Sequence, residues 1–166
     1  MSVANPAGRP RRRSAAVSSK AGRSPVIEVR IYYEDTDCGG VVYHANYLKY
    51  FERARTWYLE ERGISIIRLL EDGLQFMVIH AEMTYRAPAR YGETLSIETW
   101  VSERSQARLT FSHIVRERAS QRVVVEGAAT LAAVNREGKL TRLPEPLLRL
   151  QQEVRPDTRS RRSMHG

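Results

Sequence analysis

The chain has 166 residues, 42% of them apolar and 28% charged, enough for one globular domain with its own core, and no apolar run approaches the ~20 residues of a membrane span. A single cysteine, Cys38, excludes an internal disulfide and a paired-cysteine zinc site. The net charge of +8 divides into +6 over residues 1–24, +3 over 155–166 and −1 over the stretch between, so the body of the chain is not a nucleic-acid-gripping surface.

Residues 1–24 are rich in Arg, Ser, Ala, Gly and Pro with no apolar period, which predicts a disordered basic tail. That composition also fits a transit peptide; the reading kept is a solvated tail on a cytoplasmic protein. The expected domain runs over 25–154, and 155–166 forms a second basic tail. Val26–Tyr32 reads as a short β-branched strand. The loop Asp37-Cys38-Gly39-Gly40 follows, and Asn46 is a candidate N-cap. From there Tyr47, Tyr50, Phe51, Ala54, Trp57 and Tyr58 recur at the spacing of one buried helical face, with Glu52, Arg53, Arg55 and Glu60 off that stripe. Gly63 is the expected stop, and Ile64–Glu71 a second, shorter helix.

The remainder reads as strands: Gln75–Arg86, Glu93–Glu103, Arg108–Arg118 and Arg122–Asn135. The last three are joined by hairpin-sized links, which argues an antiparallel meander. Leu143–Leu150 is expected to close the domain as a short helix. The fold class is α+β, a long helix on a mostly antiparallel sheet. The strand face away from the helix is expected to be partly polar or covered by a second copy.

The chemistry concentrates in Tyr33–Tyr47, which places three carboxylates, two glycines and a histidine ahead of a helix start. Such a start offers unpaired N–H groups and partial positive charge. A carboxylate beside it suits acyl chemistry, as nucleophile or as general base on water. Asp37 is the candidate, against the plain alternative of a turn cap; Asp35 reads as a loop brace. Gly40, with Gly39, lets a ligand approach the backbone closely. His80 and His113 read as sheet residues with satisfied partners, and no metal-ligand spacing is present. Cys38 lacks a basic partner and is not taken as a nucleophile. Arg86, Arg90, Arg104 and Arg108 fall at strand ends, where solvated charge competes with a phosphate-contacting role.

Tyr33-Glu34-Asp35-Thr36-Asp37-Cys38-Gly39-Gly40-Val41-Val42-Tyr43-His44-Ala45-Asn46-Tyr47, then Phe51-Glu52-Arg53-Ala54-Arg55 and the block Tyr85–Tyr91, resemble the 4-hydroxybenzoyl-CoA thioesterase family. The branch most like it is that of the acyl-CoA thioesterases associated with the bacterial Tol-Pal system. The resemblance covers about residues 26–150 and implies a hotdog fold. It implies Asp37 as the catalytic carboxylate and His44 as a second catalytic candidate. Backbone N–H groups around Tyr43 and His44 would bind the thioester carbonyl, with Gly40, Val41, Tyr43, Tyr47 and Arg90 as the substrate-binding set. It implies hydrolysis of an acyl-CoA or acyl-carrier-protein thioester, with coenzyme A as part of the substrate and no cofactor. The site would lie in the seam of a homo-oligomer, dimer or tetramer. The alternative function is a non-enzymatic module that binds acyl carrier protein or an envelope complex.

Overall fold

The computed structural model describes residues 26–153 and 155. The tails expected at 1–24 and 155–166 lie, Arg155 apart, outside the described residues. The elements are β1 (Val26–Arg30), α1 (Asn46–Glu60), α2 (Ile66–Glu71), β2 (Gln75–Tyr85), β3 (Thr94–Arg104), β4 (Arg108–Glu117), β5 (Val123–Val134) and the one-turn α3 (Glu145–Leu148). A 3₁₀ turn, Tyr33–Asp35, leads out of β1.

The strands form one antiparallel sheet in the order β1-β3-β4-β5-β2. The meander β3-β4-β5 follows from short links, since a hairpin brings neighbours in sequence side by side. β2 comes before the meander in the chain yet joins its far edge beside β5, with Phe76 opposite Ala133 and Met83 opposite Gly127.

Alternation makes one face of this sheet the floor of the core. Leu109, Phe111, His113, Val115 and Glu117 of β4 are buried in turn, as the two-residue period of a strand requires. The long α1 lies on that floor and buries Tyr47, Tyr50, Phe51, Ala54, Tyr58 and Leu59, each large side chain stabilising by about 1.5–3 kcal/mol on removal from water. The result is a long helix on an antiparallel sheet, the arrangement the sequence implied.

Helix and sheet fit tightly at Gly127. The Phe51 ring lies parallel to the His113 imidazole, centroids 4.2 Å apart. A Cβ on Gly127 would sit 2.7 Å from the Phe51 ring and 2.6 Å from the Glu82 carbonyl oxygen. The missing side chain is the recess into which α1 seats its aromatic ring.

Local details differ from the sequence reading. Ala45, not Asn46, stands at the N-cap, and no side chain caps the helix. The Asn46 amide is engaged elsewhere, donating to the Asp35 carbonyl at 2.9 Å. Trp57 is 37% exposed while Arg55 is buried at 8%. The four-residue row Tyr47–Phe51–Arg55 turns Arg55 toward β2, whereas Trp57 rotates outward. The closing segment is helical only over Glu145–Leu148, although Leu143, Leu147 and Leu150 are all buried. Of the histidines, His80 is exposed on β2. His113 bonds Thr99 Oγ1 at 2.9 Å through Nδ1, but its buried Nε2 has no partner among the described residues. Burial, then the nearby Arg55 charge, holds His113 well below the ordinary histidine range, so it is neutral.

Two outcomes follow. Gly127→Ala forces overlap with backbone and ring together, and should lower stability by about 1–3 kcal/mol, read from denaturant midpoints. Glu117 accepts from the Ala119 and Ser120 N–H groups and the Ser120 hydroxyl. These hydrogen bonds, the Ser120 hydroxyl first, carry its carboxyl from an ordinary 4.5 down to about 2. Its stabilisation is therefore present above pH 4.5 and drains away as pH falls toward 2. Glu117→Gln should melt below wild type at neutral pH, and the gap should close on acidification across that window.

Candidate active site

The loop between β1 and α1 is built around Asp35. Its Oδ2 accepts the Tyr32 N–H at 2.8 Å and its Oδ1 the Tyr50 hydroxyl at 3.0 Å. Its carbonyl accepts the Tyr43 N–H at 2.9 Å and the Asn46 side chain at 2.9 Å. One residue thereby ties the end of β1, the loop exit and the first two turns of α1 together, the bracing role read from sequence. Burial and the hydrogen bond to Asp35 push the Tyr50 phenol well above its ordinary range, so it stays a donor.

Asp37 opens the tight turn that this brace holds. Its N–H donates to the Val41 carbonyl and its own carbonyl accepts from Gly40, each at 2.9 Å. Gly40 adopts a φ of +70°, which a side chain would resist. The Gly39 N–H donates to Asp37 Oδ1 at 2.7 Å, fixing the carboxylate rotamer while the residue stays exposed. Thr36 bridges Val42, and Val41 bridges Arg90. The Val42 N–H donates to the Ala89 carbonyl at 2.8 Å, so the turn is stitched to the β2–β3 link.

Asp37, Val41, Val42, His44 and Tyr47 meet Tyr85, Arg86, Ala87 and Pro88 around one cleft of about 370 Å³. Four sequence-selected residues therefore share one space: Asp37, Val41, His44 and Tyr47. Gly40, Tyr43 and Arg90 stand outside its lining. Gly40 shapes the turn. The Tyr43 N–H is already engaged by Asp35, and its ring packs against His44 at 4.4 Å. Arg90 donates its N–H to Glu93 Oε2 at 2.8 Å and braces Val41 through the backbone.

His44, just ahead of the helix N-cap, and Tyr47 in its first turn bring the start of α1 to the cleft. Among the described residues the N–H groups of His44 and Ala45 have no hydrogen-bond partner, as expected where no side chain caps a helix. The Tyr85 hydroxyl donates to the His44 carbonyl at 3.0 Å, and its ring meets the Tyr47 ring edge-on at 5.9 Å. Burial, then Tyr85 and Glu93, raise the Tyr47 phenol to about 12, so this wall is neutral. Tyr85 and Pro88 carry no role in the sequence reading; the signal for them was the Tyr85–Tyr91 block, which marks a strand end but not its direction. Arg86 pairs with Glu126 at 2.7 Å. Arg104 donates to the Leu148 and Leu150 carbonyls, which is a structural task. Among the described residues no cluster able to hold a metal is found, and no helix is long and apolar enough to cross a membrane.

The model of the thioesterase-like superfamily matches residues 32–151. The acyl-CoA thioesterase YbgC of Haemophilus influenzae is 49% identical over 84 residues, covering 50% of this chain and 62% of that protein. The acyl-CoA thioester hydrolase YbgC of Escherichia coli is 43% identical over 84 residues, covering 51% of this chain and 63% of that protein. The chain thus spans less than two thirds of these curated relatives' length. A probable thioesterase from Bartonella henselae, 34% identical, superposes with a TM-score of 0.68 over 73% of this chain and 99% of that one. The likeness read from the Tyr33–Tyr47 loop is borne out by these matches, and so is the fold. With most of its length matched by the family model, the chain belongs to the thioesterase-like superfamily.

Proposed function

We propose that this protein is an acyl-CoA thioesterase and that Asp37 is its reactive carboxylate. The observation that carries the reading is the shared cleft: a carboxylate fixed by Gly39 stands across from an uncapped helix start. The YbgC relatives, named as acyl-CoA thioesterases, agree with it.

In this mechanism the thioester carbonyl oxygen points at the His44 and Ala45 N–H groups. Charge developing on that oxygen is stabilised by fixed dipoles and the helix start, each donor being worth about 2.7–4 kcal/mol. Asp37 either attacks the carbonyl to give an anhydride, later cleaved by water, or removes a proton from the attacking water. In both routes the C–S bond breaks, coenzyme A leaves as the thiol and the free acid remains. His44, exposed beside the cleft, orients the substrate. The chemistry requires no metal or cofactor, and the coenzyme A thioester pool places it in the cytoplasm.

The functional unit is a homo-oligomer joined along β2. That strand is the sheet edge beyond β5, and Met77, Val78 and Ile79 on it are 54%, 55% and 50% exposed. An unprotected apolar edge of this kind is a template for pairing with another chain.

Asp37→Asn should fold normally and lose about 100- to 10,000-fold of its thioester hydrolysis, measured as thiol release from a panel of short, long and aromatic acyl-CoAs. A variant that keeps most of its turnover refutes the assignment; a wild type inert on the whole panel favours a binding module. Ile79→Lys sets a charge on the β2 edge and should reduce the mass measured by light scattering to that of a smaller species. An unchanged mass excludes the β2 seam.

A further inference from the structure

Arg55 is the polar residue of α1 that the fold buries without an evident partner. Charged side chains are almost never fully buried unless paired, and a guanidinium carries five N–H donors. The other buried polar groups have hydrogen bonds: Thr99 with His113, and Glu117 with its three donors. Arg55, 8% exposed, makes no hydrogen bond and no ion pair among the described residues. Burial lowers its pKa from the ordinary arginine range, and Glu52, three residues earlier, partly opposes this through space. Glu52 itself is exposed and accepts the Thr56 hydroxyl at 3.0 Å, so water screens much of its charge and the guanidinium is only partly compensated.

The position of that charge is informative. Arg55 borders an apolar cavity of about 350 Å³ walled by Leu59, Leu69, Phe76 and Leu131. It also borders an open cleft of about 540 Å³ between α1 and the sheet, lined by Leu48, Val78, Ala81 and Ala129 and by the charged Lys49, Glu52 and Arg53, so that the cations there outnumber the one carboxylate. Tyr47, in the wall of the Asp37 cleft, precedes it by two four-residue steps on the same helical row, about 12 Å along the axis. An acyl chain with its carbonyl at Asp37 and its tail laid parallel to α1 would run past Leu48 toward the Arg55 guanidinium.

We propose that Arg55 is a specificity-determining residue that receives the terminal carboxylate of a dicarboxylic acyl thioester. The proposal deepens the thioesterase reading and rests on it for the far end of the chain. A carboxylate is the small planar anion that a guanidinium binds through two parallel hydrogen bonds. A neutral alkyl tail laid over the guanidinium would take water from its donors without replacing the hydrogen bonds, which selects against it.

The test uses the full-length protein and two thioesters of equal chain length, octanoyl-CoA and the mono-CoA thioester of octanedioic acid. Wild type should favour the dicarboxylic substrate. Arg55→Met should lower its kcat/KM by about 10- to 100-fold, the range of one charge-assisted contact, chiefly through KM, without a matching loss on octanoyl-CoA. Arg55→Lys should restore part of it. Free octanedioate should bind wild type more tightly than octanoate by calorimetry, a readout that needs neither a variant nor turnover. Arg55-dependent octanedioate binding without hydrolysis of any thioester would sustain the anion site and remove the thioesterase reading. Equal loss on both substrates, or no advantage for octanedioate in wild type, overturns the proposal. So does an Arg55→Met protein of smaller mass with unchanged preference, since Arg55 would then pair with a carboxylate of a second copy.

Discussion

Everything functional in this molecule hangs from the two ends of Asp35. Its carboxylate holds the end of β1 and a tyrosine one turn into α1; its carbonyl holds the loop exit and the first helical residue. Four bonds converge on one residue, so strand, turn and helix move as one body. The turn that carries Asp37 has few apolar contacts of its own and would otherwise sample many conformations. The mechanism proposed above, with a carboxylate set against a helix start, needs that constraint, because small displacements of reacting groups cost large factors in rate.

The division of labour between the neighbouring aspartates follows from their surroundings. Asp35 is partly buried and its oxygens are spent on structure. Asp37 is exposed, gives one oxygen to Gly39 and lines the cleft. Tyr47 in the cleft wall, and Tyr50 one turn along the same helix, are held protonated by burial first and then by their neighbours. The aromatic side chains therefore bring no phenolate to the cleft that Asp37 and Arg86 also line.

Much of this was legible in the chain because local rules and global packing agree. The strands β3 to β5 alternate with a two-residue period and are joined by short links, so their pairing leaves little freedom. The Asp37 turn was legible from its glycines. What escaped was set by tertiary context. Asn46 looks like a cap, but its amide finds the Asp35 carbonyl, eleven positions away in sequence. The backbone bridge from Arg90 to Val41 joins two segments nearly fifty residues apart, which no local pattern announces. Arg55 and Trp57 exchange their expected places because the breadth of the helical face covered by β2 is not written in the helix. Tyr85 joins the cleft through the end of a strand whose partner, β5, lies some forty residues downstream.

The Phe51 ring seated in the recess at Gly127 fixes more than stability. A flat ring lodged against a sheet, with backbone beneath it and an imidazole stacked on it, acts as a detent: α1 can neither slide along its axis nor roll without first lifting the ring out. Helix sliding is thereby opposed as a way for the cleft to fit ligands of different girth. Phe51 of α1, Glu82 of β2 and Gly127 of β5 all meet at that recess, so one missing methyl keys the helix to two neighbouring strands at once.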